Sequence, residues 1–452
     1  MARNLPSILR RAMYNLRGGF LVRPLTIAIA LGAAGGLLSW IEEEFPRAGA
    51  WVPAILFPSH SDPQVAQVIL GGIAASMMTV VSIVFAILLM SLTLASMQFS
   101  PRIIVSFSRD KATQWTLGIF LGTFCYCVAA LPAARSVPHP FAPVATVLGA
   151  MLLALMCVGW LLFFIHHISQ AISVNYIVDR IAGETEAVID DVMPQRHHPD
   201  AFLREERPAT MPEEVPLLSE ESGYIRFIDV HRLASLAKQY HVRIRALRRV
   251  GHFVPEGVPL MMVSKGARLS PGEAANLVKA FDLGPARTLQ QDVEFGVLQI
   301  VDIALKAISP AVNDPTTAIG CVDQLSRIMI RFAARQVPEE MLYDPPGVIR
   351  VSVAWMRFPR LLDAAFEQIR MYAKSDLAVS LRLLRALTDI ATSTEDPAYR
   401  RILVERGART VAGCAEKLGE DEMTELRVRL EALEELEPGT RAPGSALESQ
   451  GS

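Results

Sequence analysis

Four acidic and amide side chains lie around a proline-containing break between two predicted helices in the second half of the chain. They are Asp302, Asn313, Asp314 and Asp323. Carboxylate and amide oxygens grouped in this way are able to bind a cation or a polar ligand. Simpler roles also account for them, because Asp302 can pair with Lys306 one turn later and Asp314 precedes Pro315, a strong helix start. We expect Asp314 to be a helix cap and keep the four as a candidate ligand site.

A second pattern of polar side chains runs along the longest apolar stretch, in which no charged residue occurs between Asp62 and Arg102. Small and hydroxylated residues recur there near helical spacing, at Ser76, Thr79, Ser82, Ala86 and Thr93. On one hypothesis they pack against other helices, with the hydroxyls bonded back to their own helix. On the other they line a water-filled path through an oligomer, which makes them candidate pore-lining residues.

The chain offers no other recognisable chemistry. An activated nucleophile, a metal-ligand set and a phosphate cradle are not found at familiar spacing, so we expect neither an enzyme nor a bound cofactor. Cys125 and Cys127 would point about 200° apart on a helix, which argues against a shared metal. The adjacent His166 and His167 are explained by a solvated position at the end of an apolar segment.

The composition separates an apolar first part from a charged second part. The chain has 452 residues, of which 51% are hydrophobic, and a formal net charge of −2. This length exceeds what one hydrophobic core organises, so at least two structural units are expected. Nucleic acid is excluded as a partner on this charge balance, because phosphate binding needs a clustered positive field.

Four segments of the first part are long and apolar enough to cross about 30 Å of hydrocarbon, for which about 20 residues are needed. They run approximately over Pro24–Ile41, Val65–Phe99, Trp115–Ala134 and Pro143–Ile165. Arginine and lysine are concentrated before the first segment and between the second and third, so the positive-inside rule places both termini in the cytosol. The loop between the second and third segments carries a candidate gating group, Arg102, Arg109 and Asp110.

The predicted architecture is a membrane protein with four transmembrane α-helices followed by a cytosolic α+β domain. Its expected parts are a cytosolic N-terminal segment, the transmembrane domain, a helix extension with a proline-rich linker, the α+β domain and a disordered tail, over residues 1–23, 24–170, 171–222, 223–436 and 437–452. In the α+β domain we expect a strand at Tyr224–Ile228, a cap at Asp229 and a longer strand at Val242–Val250. The helices around Asp314 should run over Thr288–Ile308 and Asp314–Ala334.

Four arginines lie in or next to that longer strand, at positions 243, 245, 248 and 249. On one interpretation, these arginines lie on a solvent-exposed face of the strand and have no ligand. The alternative is a site for an anionic lipid headgroup or a small anionic ligand.

Three stretches of the chain resemble a known family. They are Ser-Pro-Arg-Ile-Ile-Val-Ser-Phe-Ser-Arg-Asp at 100–110, Gln-Trp-Thr-Leu-Gly-Ile-Phe-Leu-Gly-Thr-Phe-Cys-Tyr at 114–126, and Ile-Ser-Pro-Ala-Val-Asn-Asp-Pro-Thr-Thr-Ala at 308–318. The chain is similar, to about Leu436, to a set of predicted bacterial membrane proteins of unknown function. This resemblance implies the same architecture, a bacterial cytoplasmic (inner) membrane and a role for the motif regions, without implying an activity.

Two function classes follow from these observations. A homo-oligomeric ion channel or pore, gated by the cytosolic domain through the loop with Arg102, fits the polar stripe and the lack of charge in the predicted spans. A membrane-anchored regulatory or scaffold protein, whose cytosolic domain senses a ligand or binds partners, explains the rest but leaves the long polar stripe without a purpose. The lipid bilayer and further copies of the chain are the expected partners.

Overall fold

The computed structural model describes residues 22–45, 62–98, 111–137, 140–171, 173–194, 214–338, 341–343 and 349–437. Arg102, Arg109 and Asp110 of the predicted gating loop lie outside these ranges, as do the segment before Val22 and the predicted tail after residue 437. The chain divides into two compact units, Met1–Ser173 and Val174–Ser452, called here the N-terminal and C-terminal units.

Among the described residues, four helices are long and apolar enough to cross a membrane, which confirms the four predicted segments. They are α1 (Val22–Glu44), α2 (Pro63–Gln98), α3 (Lys111–Ala130) and α4 (Val144–Ala171). Each has uninterrupted apolar sequence of the necessary length, and Pro24 and Pro63 stand near helix starts, where proline costs no hydrogen bond. The predicted boundaries are short by a few residues at several ends, most clearly at α4, which continues past Ile165 to Ala171.

Helix α3 is the central helix of the N-terminal unit and packs against α1, α2 and α4. More than half of its apolar span, 56%, is buried, compared with 11% for α2. Glycines let α1 approach α3 closely, since a Cβ at Gly118 would lie 2.6 Å from Ile27 Cδ1 and one at Gly122 only 2.5 Å from Leu31 Cδ1. This Gly118–Gly122 pair, spaced as in small-residue helix contacts, therefore serves packing within the unit.

The C-terminal unit contains two small sheets. Its strands are β1 (Glu214–Leu218), β2 (Gly223–Ile228), β3 (Ile244–Ala246), β4 (Phe253–Val254), β5 (Pro259–Ser264), β6 (Phe281–Gly284), β7 (Met341–Tyr343) and β8 (Ile349–Ser352). One sheet has the order β1-β5-β3-β8-β7, with only the β3–β8 pair parallel, and the other has the order β4-β2-β6. Both contribute to one buried apolar cluster that includes Ile225, Ile244 and Leu260.

Nine helices accompany these sheets in the described part of the unit. They are α5 (Val174–Val192), α6 (Val230–Gln239), α7 (Pro271–Val278), α8 (Val293–Ala307), α9 (Pro315–Ala333), α10 (Phe358–Tyr372), α11 (Leu377–Ser393), α12 (Pro397–Cys414) and α13 (Glu420–Glu434). Helix α8 packs against α5, α9 and α10, and α9 also contacts α5 and α11. Short polar caps fix several starts: Asp229 accepts from the Arg232 N–H, as predicted, and Ser270 with Glu273 forms a capping box.

Three local predictions were wrong. The proline-rich linker was expected to reach residue 222, but Glu214–Leu218 forms β1, paired antiparallel with β5. Residues 174–192 do not extend α4, because they form a separate helix, α5, whose apolar face belongs to the C-terminal unit. The strand predicted over Val242–Val250 is only three residues long, because the chain bends directly after Ala246 and then turns at Gly251, whose φ of 88° suits glycine.

Candidate functional site

All five stripe residues of α2 lie on the exposed side of the N-terminal unit. The opposite side of the helix carries Ala74, Met77 and Val84, which are buried against the other helices. At about 100° per residue, Ser76, Thr79 and Ala86 fall within about 80° of one another and roughly opposite this buried face. The small polar stripe therefore faces away from α1, α3 and α4 within one chain.

The hydroxyls of the stripe donate to carbonyls of their own helix four residues earlier. Ser76 Oγ lies 2.8 Å from the Gly72 oxygen, Ser82 Oγ 2.9 Å from the Met78 oxygen and Thr93 Oγ1 2.8 Å from the Leu89 oxygen. Thr79 does the same at 3.2 Å. Each donor is thus satisfied, while the hydroxyl oxygens keep lone pairs that are able to accept from water or from a neighbouring chain.

Gly71 and Gly72 extend the stripe towards the start of α2. A Cβ on either glycine would meet no atom within 4 Å, so neither glycine is needed for packing inside the N-terminal unit. By contrast, side chains of α1 pack directly against Gly118 and Gly122. At these two glycines of α2, Gly71 and Gly72, the exposed side of the helix leaves room for another helix backbone to approach closely.

In the candidate ligand site, Asp314 and Asp323 have separate side-chain partners, while Asp302 lies on α8. Asp314 caps α9 by accepting from the Thr317 N–H at 3.1 Å and from its hydroxyl at 2.5 Å, and these hydrogen bonds lower the pKa of the Asp314 carboxyl. Asp323 forms an ion pair with Arg382 of α11. Asn313 has a φ of 51°, a left-handed conformation suited to the turn before the cap.

Within the described ranges, no group of three or more His, Cys, Asp or Glu side chains is placed to hold a metal ion. The Ile308–Ala318 motif forms the turn between α8 and α9 and includes Asp314, the cap of α9. The Gln114–Tyr126 motif lies in α3, where Gly118 and Gly122 contact α1 and other residues contact α4. There the Trp160 indole donates to Thr116 Oγ1 at 2.9 Å, and the Tyr126 hydroxyl donates to the Thr146 carbonyl at 3.1 Å.

The structure also assembles a charged cluster around Arg249, one of the four arginines noted in the sequence, with acidic partners that the sequence patterns did not indicate. Arg249 donates through Nη2 to both carboxylate oxygens of Glu294, at 3.1 and 3.0 Å. Arg287 donates to Asp292 at 2.7 and 2.9 Å and to Glu294 at 3.0 Å. Asp292 also caps α8 through the Phe295 N–H. Arg249 and Glu294 are 45 positions apart, and neither position has a sequence signature that would predict the pairing.

The cluster has a positive local field. Burial opposes ionisation of Glu294, but the guanidinium groups of Arg249 and Arg287 outweigh it and lower the pKa of the Glu294 carboxyl. Burial and then the charges of Arg249 and Arg360 lower the pKa of nearby His252 to about 4. His252 is therefore neutral at physiological pH, and three arginines face two carboxylates.

Comparisons with known proteins show the family of this chain but carry no activity. Residues 17–389 match the family model described as Predicted membrane protein (DUF2254). Proteins of Mycobacterium bovis and Mycobacterium tuberculosis, both named as uncharacterized, are each 32% identical over 440 residues, covering 95% of this chain and 83% of the relative. No solved structure matches the chain.

Proposed function

We propose that this chain, which belongs to the DUF2254 family of predicted membrane proteins, is a multi-pass protein of the bacterial cytoplasmic membrane that forms a homo-oligomeric ion channel. In this proposal α2 of each copy lines the pathway. Both termini and the C-terminal unit lie in the cytosol, as the distribution of Lys and Arg favours. The loop with Arg102, Arg109 and Asp110 connects α2 to α3 and would transmit gating movements.

The orientation of the stripe carries the proposal. Ser76, Thr79 and Ser82 face outward from the single chain, where lipid would otherwise cover them. Small hydroxylated residues gain little from lipid contact, whereas packing between copies or contact with water uses both their size and their oxygen lone pairs. A single four-helix unit whose stripe points away from its own centre cannot enclose a path, so the pathway requires several copies.

The length and charge of α2 support the same conclusion. Its 36 residues span about 54 Å at about 1.5 Å per residue, well beyond the roughly 30 Å of a hydrocarbon core. The helix contains no Asp, Glu, Lys or Arg. An ion-coupled transporter would need such groups at membrane depth, whereas a hydroxyl-lined neutral path is compatible with a channel.

Cysteine labelling along α2 tests the pathway. Single cysteines at positions 76, 79 and 82, in a parent lacking the native cysteines, should react with a small charged thiol reagent in membranes, because thiolates form where water reaches. Cysteines at buried Val84 and at exposed Phe85, which lies away from the stripe, are the matched controls and should stay unreactive. Equal labelling at all five positions, or none at the stripe, would contradict the proposal.

Ion flux provides the second arm of the test. Thr79→Lys should change flux in liposomes because it introduces charge into the path. Purified protein should be oligomeric in mild detergent. A monomer with no flux above that of empty liposomes would instead favour the alternative function, a membrane-anchored regulatory or scaffold protein whose cytosolic unit senses a ligand or recruits partners.

A further inference from the structure

A cleft in the C-terminal unit lies beside the Arg249–Glu294 pair. Its lining comes from the end of β2, the segment after β8, the ends of α5 and α9, and the start of α8. The cavity itself is small, about 40 Å³, and the empty space reaches about 540 Å³ only when the solvent at its open mouth is included. Clefts where several elements meet are preferred positions for small-molecule sites.

Most of the cleft surface is apolar. Its lining includes Ile228, Val250, Phe332, Val353, Trp355 and Met356. Phe332 is almost fully buried, while Trp355 and Met356 are half-buried and offer contact surface. Aromatic and methionine side chains of this kind bind flat or irregular apolar bodies.

One wall of the cleft is charged and has a fixed geometry. The side chain of Arg249 is only 10% exposed, and that of Glu294 is 13% exposed. Both hydrogen bonds from Arg249 to Glu294 come from Nη2, so Nε and Nη1 of this guanidinium are not committed to that carboxylate. Arg287 also donates a hydrogen bond to Glu294. This bond would keep the Glu294 carboxylate in place if a ligand accepted hydrogen bonds from Arg249.

The charge balance of this wall favours an anion over a cation. Arg360 lies 3.9 Å from Glu294 and adds a third guanidinium to those of Arg249 and Arg287, against the carboxylates of Asp292 and Glu294. Since His252 is neutral, the cluster retains an excess positive charge; Arg249 and Arg287 are largely buried, whereas the side chain of Arg360 is 63% exposed. Such a charge is stabilised by a partner of opposite sign.

We propose that this cleft binds a small amphipathic organic anion, whose apolar body contacts Trp355 and Met356 and whose carboxylate or phosphate accepts hydrogen bonds from Arg249. Charge-assisted hydrogen bonds to arginine supply the orientation, and the apolar surface supplies most of the contact area. The cleft also includes Val192 and Met193 at the end of α5, so a ligand there contacts the helix that begins the C-terminal unit. The site does not depend on the proposed pathway.

Binding to the full-length protein in phosphatidylcholine nanodiscs tests this site. The probes are 4-phenylbutyrate and phenyl phosphate, with 4-phenylbutanol and phenol as neutral counterparts and inorganic phosphate as an anion without an apolar body. Ligand-observed NMR, corrected with empty nanodiscs, measures saturable binding. At least one organic anion should bind about tenfold more tightly than its neutral counterpart and than inorganic phosphate, as expected for one charge-assisted contact.

Variants locate the binding. Arg249→Gln should weaken the anion about tenfold, and its fold should persist because Arg287 still pairs with Glu294. Trp355→Ala provides a second variant and should weaken the aromatic probes. Arg245→Gln is the matched control, since Arg245 pairs with Glu214 outside the cleft and its loss should leave binding unchanged. Failure of both anions to saturate, equal binding of the neutral counterparts, or full binding by both cleft variants would overturn the proposal.

Discussion

The carboxylate of Glu42, near the end of α1, accepts hydrogen bonds from both the backbone N–H and the hydroxyl of Thr146 in the first turn of α4. These distances are 3.0 and 2.8 Å, and the Ala145 N–H donates to the same carboxylate at 2.6 Å. The first N–H groups of a helix have no partner within the helix, and a negative charge there is favourable. An acid from one helix therefore caps another, although the two residues are 104 positions apart.

Glu42→Ala should lower the free energy of unfolding by about 1 to 3 kcal/mol, because it leaves buried N–H groups of α4 without their acceptor. Glu42 is only 4% exposed, so water does not readily replace the carboxylate. Thermal unfolding in detergent measures the loss. Glu44→Ala, on the exposed neighbour two residues later, is the control and should unfold close to wild type. Equal unfolding temperatures for the two variants would show that the cap contributes nothing.

Asp314→Ala should cost about 1 kcal/mol of local stability at the start of α9, because the cap on the Thr317 N–H is lost. Hydrogen exchange of the amides at the beginning of α9 reports this change directly. Asp314→Asn keeps a side-chain oxygen and should lose much less. We predict a structural role, so divalent cations or nucleotides should not stabilise the wild type selectively. Strong stabilisation by such a ligand, absent in Asp314→Ala, would instead establish a binding site there.

Acid should destabilise the C-terminal unit through His252. Its pKa in the folded protein is about 4, below the roughly 6.5 of an unperturbed histidine, so folding favours the neutral ring. The corresponding stability is complete above about pH 6.5 and is lost as the pH falls towards 4. The pKa of Glu294 is also lowered, and its contribution is lost at more acidic pH, below about 4.3, the ordinary value of a glutamate.

His252→Gln separates these two contributions. The difference in unfolding free energy between variant and wild type at pH 8 is subtracted first. Between pH 7 and 4.5, where protonation of His252 destabilises the wild type, the variant should then lose less stability. Chemical denaturation at a series of pH values measures the difference. Parallel curves for variant and wild type across that window would mean that His252 is not held neutral by its burial and by the arginines around it.

Local patterns were sufficient for some features and insufficient for others. The helical period predicted the shared face of Ser76 and Thr79, and the Asp-Pro step predicted the cap at Asp314, because both depend on residues within one helix. The Arg249–Glu294 and Glu42–Thr146 contacts depend on how distant segments meet, which no short spacing encodes. Strand β1 was missed for the same reason. Its Pro216 is typical of a linker in the sequence, and only the pairing with β5 makes the segment a strand.

The last prediction concerns the ion pairs between α5 and α9. Arg327 donates to Glu186 and Asp179, while Arg331 and Arg335 both pair with Asp190. The hydrogen bond from Arg331 is the largest of the effects that lower the pKa of the Asp190 carboxyl. Helix α5 also buries an apolar face that includes Ile181 and Ile189, so the ion pairs are an addition to this packing and do not replace it.

Asp190→Asn should lower the unfolding temperature at low ionic strength and have little effect in 1 M salt. The pairs are largely exposed, and the screening length falls from about 10 Å at 0.1 M to about 3 Å at 1 M, which weakens them in wild type too. Asp191→Asn is the matched control because the neighbouring side chain is exposed and should show no such salt dependence. If Asp190→Asn lowers the unfolding temperature equally at both salt concentrations, apolar packing and not the ion pairs attaches α5 to α9. If the deficit disappears in high salt, the helix that begins the C-terminal unit is attached by contacts that respond to ionic strength.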